Sequence, residues 1–517
     1  MNVGEVLSGI RLQQPIPPEL AAVAMEGLDY DSRRVQAGYL FFAFPGAHAD
    51  GRQFALDALG RGAVAVVSES EAPEGGPLAA CWIRVVHGRQ ALSLAARNFY
   101  GRPDERLGLT GITGTNGKTT TGFLIDSVLR AASPVGSAAT ALIGTIEYHL
   151  AGRVLKAVNT TPESLDLVRI LAELAALGGT HATMEVSSHS LELGRVFGLH
   201  FHTAVFTNLT RDHLDFHGTM ENYFAAKQKL FDGAGGPPPP FAVLNRDDEY
   251  ARRLKLNPRT KVLWYGLGAE PDLRARHISS GFQGLRFDVQ YGKLRFAVES
   301  PLIGKINVYN ILAACGTGLS YGLDPATIAR GIAQLRAVPG RFERVDEGQP
   351  FVVVVDYAHT DDALRNVIAV ARGLNPKRVI TLFGCGGDRD RAKRPLMGQA
   401  AAEASDFVVL TSDNPRSEDP LTIMNDALVG IGRVDVPHVV EPDRATAIAR
   451  ALKEAREGDI VILAGKGHET YQVLKDKTIA FDDRDVAREV LKGYGYKRGT
   501  GSRGPGAEAT GGPAGRS

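Results

Sequence analysis

The chain has 517 residues, with 59 Lys and Arg against 58 Asp and Glu and a hydrophobic fraction of 44%. A formal net charge of +1 provides no overall field that would recruit nucleic acid or an anionic membrane, and the hydrophobic content excludes wholesale disorder. At about 150 residues per domain, the length predicts about three domains. The cysteines are scattered, and the sequence shows neither a signal peptide nor an apolar run of the ~18 residues that a membrane span needs, so we expect a cytoplasmic protein.

Two predicted strands, at residues 64–67 and 81–86, and a helical pattern at residues 90–100 indicate a small α/β domain over residues 1–103. Beyond it, strands alternate with helices, which predicts an α/β domain with a mostly parallel sheet over residues 104–338. Its strands are predicted at residues 107–113, 181–185, 203–207, 241–244 and 261–265.

A second open α/β sheet is predicted over residues 339–495, with strands at 351–355, 378–383, 406–410 and 459–463. In such sheets, ligands bind at the carboxyl ends of the strands. The Gly- and Pro-rich residues 496–517 predict a disordered tail, and residues 233–240 (G-A-G-G-P-P-P-P) predict an inserted surface loop.

The clearest chemical signal is a Gly-rich turn at residues 111–120 (G-I-T-G-T-N-G-K-T-T), between a predicted strand and a predicted helix. Such a P-loop surrounds phosphates with backbone N–H groups, while its lysine contacts the outer phosphates and its threonine holds Mg²⁺. We therefore expect Lys118 and Thr119 to bind ATP or GTP with Mg²⁺. The strict pattern requires glycine where this chain has Ile112, so the loop is a variant, and a Gly-rich turn without a ligand is the alternative.

Two polar motifs follow strands of the same predicted sheet. Glu185 ends a strand and is placed to bind a cation that faces the P-loop, although capping by the serines that follow is an alternative. The acidic and imidazole side chains of residues 207–217 (T-N-L-T-R-D-H-L-D-F-H) predict a function, with His213 as a candidate metal ligand. The acidic side chains could equally be helix caps or surface charges. On the next helix, the pattern alone marks Lys227 as an ordinary solvated lysine.

Polar, Gly-rich turns follow three strands of the C-terminal sheet, at residues 383–391 (F-G-C-G-G-D-R-D-R), 411–416 (T-S-D-N-P-R) and 464–469 (A-G-K-G-H-E). Arg389 could clamp a carboxylate, and the second turn offers donors and acceptors suited to a zwitterion. Such turns at one edge of a sheet predict a polar small-molecule site, with purely structural turns as the alternative.

The motifs G-x-T-G-T-N-G-K-T-T, E-V-S-S-H, T-N-L-T-R-D-H-L-D-F-H-G, Y-F-x-A-K-x-x-L-F, V-D-Y-A-H-T, G-C-G-G-D-R-D and D-N-P-R occur in one order, and together they resemble the Mur ligases over about residues 25–490. The resemblance implies an α/β enzyme of three domains: an N-terminal UDP-sugar-binding domain, a central P-loop ATPase domain and a C-terminal Rossmann-like domain that closes on the substrates. It implies a monomeric cytoplasmic ligase that uses ATP and Mg²⁺, with no nucleic-acid partner and no membrane insertion.

The resemblance also assigns site residues. For ATP these are Gly114, Thr115, Asn116, Gly117, Lys118, Thr119, Thr120, Asn307, Arg341, Asp356 and His359. For the UDP-sugar peptide they are Ser32, His48, Asn159, Thr160, Thr161, Ser187 and Arg195. For the incoming amino acid they are Arg389, Asp413, Asn414, Pro415, Arg416, Gly465 and Glu469. The implied metal ligands are Thr119, Glu185, His213 and Lys227, the last as a carbamate, and the catalytic residues are Lys118, His213 and Lys227.

The D-N-P-R form of residues 413–416 implies meso-diaminopimelate as the acceptor, because Arg416 can pair the second carboxylate that lysine lacks. The implied reaction joins it to UDP-N-acetylmuramoyl-L-alanyl-D-glutamate through an acyl phosphate, in peptidoglycan precursor synthesis. The alternatives are a ligase of the same fold with another acceptor, such as a lysine-adding ligase, MurF or a folylpolyglutamate synthase, a P-loop switch, and a nucleotide-sugar-binding protein without activity. Leu193 and Asp361 depart from the family pattern, which usually has Gln and Pro there.

Overall fold

The computed structural model describes residues 1–46, 50–72, 80–268 and 270–497. The chain forms two compact units, Met1–Pro339 and Gly340–Ser517. No helix in the described part is both long and apolar enough to cross a membrane. The domain boundaries after residues 103, 338 and 495 stay predictions, and most of the tail, residues 498–517, lies outside the described residues.

The first unit begins with a small parallel sheet in the order β1-β2-β3-β4. Its strands are β1 (Gly27–Asp29), β2 (Tyr39–Ala43), β3 (Ala65–Ser68) and β4 (Trp82–Arg84), and the helices of this region are α1 (Val3–Val6), α2 (Pro18–Ala21), α3 (Ala55–Gly60) and α4 (Gly88–Phe99). Helix α4 buries Ala91, Leu92, Ala95 and Ala96, whose spacing places them on one face. Both predicted strands and the predicted helix are confirmed.

The rest of the first unit is built on a large sheet, which in the described residues has the order β15-β14-β13-β12-β11-β10-β5-β9-β6-β7-β8. Its strands are β5 (Gly108–Thr113), β6 (Thr140–Ile143), β7 (Glu147–Leu150), β8 (Arg153–Lys156), β9 (His181–Glu185), β10 (Thr203–Phe206), β11 (Phe241–Asn245), β12 (Lys261–Gly266), β13 (Leu273–Gly281), β14 (Gly284–Tyr291) and β15 (Leu294–Ser300). The central strands from β12 to β6 are parallel, as predicted.

Antiparallel strands at both ends of this sheet were not predicted. Strands β13 to β15 and β6 to β8 pair as antiparallel meanders. Along β14, buried and more exposed residues alternate, since only one face of the strand is covered. Such strands contain no continuous apolar run, which is the signal on which the strand predictions depended.

The helices of this region are α5 (Lys118–Ala132), α6 (Ser164–Ala176), α7 (Ser188–Glu192), α8 (Leu214–His217), α9 (Met220–Gln228), α10 (Ile306–Ser320) and α11 (Pro325–Gln334). Polar contacts tie the N-terminal sheet to α6. Arg169 donates to the Leu28 carbonyl oxygen (3.1 Å) and to the Asp29 carboxylate (3.2 Å), and the Tyr30 hydroxyl donates to Asp166 (2.5 Å).

The second unit contains a sheet in the order β16-β17-β21-β18-β19-β20. Its strands are β16 (Glu343–Val345), β17 (Val352–Asp356), β18 (Val379–Cys385), β19 (Phe407–Ser412), β20 (His438–Glu441) and β21 (Ile460–Ala464), and a separate hairpin consists of β22 (Tyr471–Val473) and β23 (Thr478–Ala480). The four predicted strands are confirmed as β17, β18, β19 and β21, which run parallel.

The helices of the second unit are α12 (Asp361–Arg372), α13 (Lys393–Ala404), α14 (Pro420–Ile431), α15 (Arg444–Glu454) and α16 (Asp483–Gly493). Side chains of Thr360, Asp419, Asp443 and Asp482 accept from backbone N–H groups at the starts of α12, α14, α15 and α16. These caps fix where each of the four helices begins.

Candidate active site

The P-loop joins β5 to α5, in the strand–turn–helix arrangement that the sequence predicts. Its glycines Gly114 and Gly117 adopt φ angles of +146° and +84°, which residues with a Cβ atom rarely adopt. A Cβ at Gly114 would lie 1.9 Å from the Thr207 hydroxyl oxygen, and one at Gly117 would lie 2.6 Å from Asn310 Oδ1. Neighbouring side chains therefore enclose the loop so closely that both positions require glycine.

Two lysine side chains bond to the P-loop backbone. Lys118 Nζ donates to the carbonyl oxygens of Gly114 (3.0 Å) and Thr115 (2.8 Å), and Lys227 Nζ donates to the same Gly114 oxygen (2.8 Å). Lys227 is only 1% exposed. Its burial and the charge of Lys118 hold the pKa of Lys227 well below its ordinary value. The interpretation of Lys227 as a solvated lysine is therefore wrong.

Residues after β10 support the P-loop, a role that the sequence analysis did not assign. The Thr207 hydroxyl donates to the Asn116 carbonyl oxygen (2.7 Å), and Asn208 Oδ1 accepts from the Asn116 N–H (2.9 Å). Because β10 pairs in parallel with β5, placing Phe206 opposite Thr113, the residues that follow the two strands meet. The signal was present in the sequence, since T-N directly follows a predicted neighbouring strand.

Helix α10 contacts the P-loop through a chain of amide side chains. Asn310 Oδ1 accepts from the Thr121 hydroxyl (3.2 Å), and Asn310 Nδ2 donates to Asn307 Oδ1 (2.8 Å). Asn307 Nδ2 in turn donates to the Ile303 carbonyl oxygen (2.7 Å). Asn307, assigned to the nucleotide site by resemblance, thus lies one helical turn from a side chain that touches the P-loop, and Asn310 is a site residue that the sequence analysis missed.

Glu185 ends β9, which pairs with the P-loop strand so that Glu185 lies opposite Ile112. Its Oε1 accepts from the Thr145 N–H (2.9 Å), and its Oε2 accepts from the Thr145 hydroxyl (3.1 Å). The side chain is buried. Neutral donors therefore orient a buried carboxylate beside the P-loop strand, at the position where the sequence predicts a cation ligand.

His213 precedes α8 and has a φ of +52°, in the left-handed region that few residues with side chains adopt. Burial lowers the pKa of His213 to about 4; nearby Asp212 opposes this shift, while His189 and the charges of Lys118 and Lys227 add to it. The imidazole is therefore neutral at pH 7, which is the form that ligates metal ions.

Thr119 and Glu185, of the residues assigned to the metal, fit Mg²⁺ directly in their chemistry. Mg²⁺ prefers oxygen ligands and is usually held by one or two carboxylates together with substrate phosphates. Thr119 and Glu185 supply a hydroxyl and a carboxylate, whereas Lys227 offers an oxygen only as a carbamate. Within the described residues, no three His, Cys, Asp or Glu side chains group closely enough to hold an ion by themselves. The metal set stays a prediction.

Four residues assigned to the UDP-sugar peptide lie together beside Glu185. The Thr161 hydroxyl donates to the Glu185 backbone carbonyl oxygen (2.8 Å) and accepts from the Ser187 N–H (3.1 Å). Arg195 Nη1 donates to the Thr161 carbonyl oxygen (3.1 Å). The Thr160 hydroxyl lies 3.1 Å from the Thr145 hydroxyl, which donates to the Glu185 carboxylate. One hydrogen-bond network therefore joins the predicted peptide site to the predicted metal ligand.

The remaining residues of this set are less closely linked. The Asn159 N–H donates to the Tyr148 hydroxyl (3.2 Å). Ser32 is buried in the turn after β1, and its hydrogen bond to Asp57 is the main cause that lowers the pKa of that carboxyl group. His48 lies outside the described residues.

In the second unit, the residues assigned to the nucleotide surround Tyr357. The Arg341 guanidinium and the His359 ring each lie 4.7 Å from the Tyr357 ring centroid. Asp356 Oδ2 accepts from the Phe342 N–H (2.7 Å). Burial raises the pKa of Asp356 above its ordinary value, against the opposing charge of Arg341.

The polar turns after β18, β19 and β21 meet at one edge of the C-terminal sheet. The Gly387 N–H donates to the Asn414 carbonyl oxygen (2.9 Å), and Asn414 Nδ2 donates to Glu469 Oε2 (2.8 Å). A Cβ at Gly465 would lie 2.7 Å from Asp413 Oδ2, so the second and third turns approach to atomic contact. The structure thus brings these residues together, while their assignment to an amino-acid ligand stays a prediction.

Two arginines flank the first of these turns. A Cβ at Gly386 would lie 3.1 Å from Arg416 Nη1 and 3.7 Å from Arg389 Cγ, so both side chains pass this glycine. Arg416 Nη1 donates to the Gly387 carbonyl oxygen (2.7 Å), and Pro415 beside it is buried. A guanidinium group is suited to binding a carboxylate through two parallel hydrogen bonds.

Three family models match the chain: Mur ligase family, catalytic domain, at residues 24–100; Mur ligase middle domain, at residues 112–318; and Mur ligase, glutamate ligase domain, at residues 340–467. The UDP-N-acetylmuramoyl-L-alanyl-D-glutamate–2,6-diaminopimelate ligase of Solibacter usitatus is 79% identical over 496 residues, which cover 96% of this chain and 99% of that protein. The chain belongs to the Mur ligase family. The ligase of the same description from Geobacillus thermodenitrificans is 47% identical and covers 90% of this chain and 94% of its own.

Solved structures agree with this Mur ligase assignment. A structure of a UDP-N-acetylmuramoyl-L-alanyl-D-glutamate–2,6-diaminopimelate ligase is 34% identical, has a TM-score of 0.68 and covers 96% of this chain and 100% of that one. The family resemblance and the α/β fold class are confirmed, and Mur ligases are ATP-dependent. A switch and a binding protein without activity are therefore excluded.

Proposed function

We propose that this Mur ligase joins meso-2,6-diaminopimelate to UDP-N-acetylmuramoyl-L-alanyl-D-glutamate and converts ATP to ADP and phosphate, in peptidoglycan precursor synthesis. The observation that supports this acceptor best is that Arg389, Arg416 and Glu469 belong to the three turns that meet at one sheet edge. Two guanidinium groups suit an acceptor with two carboxylates, and a carboxylate suits its ammonium group.

The first chemical step is attack by a substrate carboxylate on the γ-phosphate of ATP, which gives an acyl phosphate and ADP. Two anions must approach each other, so positive charge near the phosphates lowers the barrier. Lys118 now donates to the Gly114 and Thr115 carbonyl oxygens, and its flexible ammonium group can exchange these bonds for phosphate oxygens. The backbone N–H groups at the start of α5 complete the phosphate site.

The peptide residues place the reacting carboxylate near that site. Thr160, Thr161, Ser187 and Arg195 lie in the network that includes Glu185, and the strand of Glu185 adjoins the P-loop strand. Arg195 supplies the cation that a carboxylate needs when it leaves water. Substrate bound there therefore has its anionic end beside the P-loop.

Thr119, Glu185, His213 and Lys227 would hold Mg²⁺, which when bound offsets the charge of the phosphate oxygens. Thr119 lies in the first turn of the P-loop helix, and Glu185 is already oriented by two hydrogen bonds. His213 is neutral at pH 7 and is thus able to act as a ligand or to orient one.

Lys227 fits the carbamate that the resemblance implies. Only a neutral amine attacks CO₂, and burial together with the Lys118 charge favours the neutral form of Lys227. In the reaction, the neutral Nζ forms a bond to the carbon of CO₂, a C=O π electron pair moves to oxygen, and one proton leaves the nitrogen, so that a neutral amine becomes an anionic carbamate. That anion would pair with Lys118.

In the second step, the acceptor amine attacks the acyl carbon, forms the amide bond and releases phosphate. Glu469 and the two arginines would orient the acceptor for this attack. An acceptor with one carboxylate, such as lysine, would leave one arginine without a partner.

That the enzyme is a monomer stays a prediction.

The test measures ADP release with ATP, Mg²⁺ and the UDP-sugar dipeptide, with and without meso-diaminopimelate. We expect ADP release to require both substrates and to equal the amount of amide product. ADP release that continues at the same rate without an acceptor, with no amide formed, would contradict the proposal.

A further inference from the structure

Lys466, in the third polar turn of the second unit, is among the most deeply buried charged side chains of the chain. It is 0% exposed. Burying an ammonium group costs several kcal/mol unless it is paired and hydrogen-bonded, so its partners at this turn show what the charge holds in place.

The partners of Lys466 are two residues assigned to the acceptor. Its Nζ donates to Asn414 Oδ1 (3.1 Å) and to Glu469 Oε2 (3.0 Å). Asn414 Nδ2 donates to the same Glu469 oxygen (2.8 Å), and Asn414 Oδ1 also accepts from the Val473 N–H (2.9 Å). The network therefore fixes both ends of the Asn414 amide and one of the two oxygens of Glu469.

The other oxygen of Glu469 is in a different situation. The Glu469 side chain is 14% exposed. Among the described residues, no hydrogen bond to Glu469 Oε1 is found. With Oε2 held from inside by two donors, Oε1 has lone pairs for a donor that comes from solvent. An ammonium group forms a short, charge-assisted hydrogen bond with a carboxylate.

We infer that Lys466 is a positioning residue for the acceptor, which acts through Glu469 and Asn414. Its ammonium group holds Glu469 Oε2 and the Asn414 amide in place, so that Oε1 is turned toward the acceptor ammonium group. The inference rests on the proposed function, because it takes the acceptor to be an amino acid bound at these turns.

The experiment compares Lys466→Met with the matched control Lys477→Met, which removes the same charge from an exposed lysine in the nearby hairpin. We expect Lys466→Met to raise the KM for meso-diaminopimelate about 10- to 100-fold, since charged hydrogen bonds are lost. In Lys466→Met, the KM values for ATP and for the UDP-sugar dipeptide should stay near those of the wild type. In Lys477→Met, the KM values for all three substrates should stay near those of the wild type.

A double variant tests the route through Glu469. If Lys466 acts by holding this carboxylate, Lys466→Met in a Glu469→Gln background should raise the KM for the acceptor much less than it does alone. Lys466→Gln, which keeps an N–H donor group but no charge, gives a second measurement if Lys466→Met does not fold.

The outcomes separate the two proposals. A wild-type enzyme that forms no amide with meso-diaminopimelate would contradict the proposed function. If the wild type forms it, an unchanged acceptor KM in Lys466→Met overturns the inference alone. Equal rises in all three KM values, or loss of folding in both Lys466 variants, would assign Lys466 a structural role and overturn it as well.

Discussion

Lys118 and Lys227 donate hydrogen bonds to the same carbonyl oxygen, that of Gly114, at 3.0 Å and 2.8 Å. The charge of Lys118 disfavours a second positive charge so close to it, and after burial it is the next cause that lowers the pKa of Lys227. A carbamate on Lys227 would instead place a negative charge beside Lys118. The relationship links the phosphate-binding lysine to the modification that the family resemblance implies.

The first prediction concerns that modification. We expect Lys227→Met to lower the rate of amide formation about 100-fold or more, because a charged group near the phosphates is lost. Wild-type enzyme supplied with ¹³C-bicarbonate should show a carbamate signal by NMR that Lys227→Met lacks. Lys229→Met is the control, since Lys229 lies two residues away and pairs with Glu192 instead of the P-loop. A carbamate signal that persists in Lys227→Met would contradict the assignment.

The second prediction concerns the P-loop turn. Gly114→Ala would place a Cβ 1.9 Å from the Thr207 hydroxyl oxygen, so we expect it to abolish ATP binding as measured by calorimetry. Gly322→Ala is the control, because Gly322 also has a positive φ (+72°) but nothing within 4 Å of the added Cβ. That control should lose only about 1–2 kcal/mol of stability, the cost of the left-handed backbone. If Gly114→Ala bound ATP as tightly as the wild type does, this would contradict the close enclosure of the loop by neighbouring side chains.

The third prediction concerns pH and stability. His149 Nε2 lies 2.7 Å from Glu147, and His149 Nδ1 lies 3.9 Å from Asp126, which also pairs with Arg130 on the P-loop helix. Asp126 and then Glu147 raise the pKa of His149, although burial opposes them. A raised folded-state pKa means that the stabilisation is fully present below pH 6.5 and is lost as the pH rises through the folded-state value.

Thermal unfolding of His149→Gln checks the direction of this pH dependence of stability. The variant should have a lower Tm than the wild type below pH 6.5, and the two Tm values should converge at alkaline pH. His277→Gln removes an exposed histidine–aspartate pair and should change Tm little at any pH. A Tm difference for His149→Gln that grows with pH would contradict the prediction.

The fourth prediction concerns acceptor choice. Arg416→Met should lower kcat/KM for meso-diaminopimelate about 100-fold, while the low activity with L-lysine should change much less. The reason is that only the first acceptor has a second carboxylate for this guanidinium. Arg433→Met is the control, because Arg433 is an exposed arginine on the same unit that bonds to Gln399. Equal losses with both acceptors would assign Arg416 a general role instead of a selective one.

The sequence predicted the parts of the fold that have continuous apolar runs. Strands such as β9 and β21 are buried along their length, so their sequences could be recognised directly. Strand β14 was missed because only one of its faces is covered, and β8 was missed because it is exposed along its length.

The residues of the candidate site likewise include some that the sequence revealed and some that it did not. Lys118 was found because phosphate binding requires a recognisable local pattern, whereas Lys227 looked like a surface residue and its burial became visible only in the structure. Lys466 lies inside a predicted site turn, yet local sequence does not reveal that its ammonium group turns inward to Asn414 and Glu469. Such roles depend on contacts between distant turns, which a single sequence does not specify.

The most direct test of the central claim is a competition measured by product mass. The enzyme is supplied with ATP, Mg²⁺, the UDP-sugar dipeptide and equal concentrations of meso-diaminopimelate and L-lysine. The account predicts that the diaminopimelate tripeptide is the dominant product and forms in amounts equal to the ADP released. A lysine tripeptide as the main product, or ADP release without either tripeptide, would contradict it.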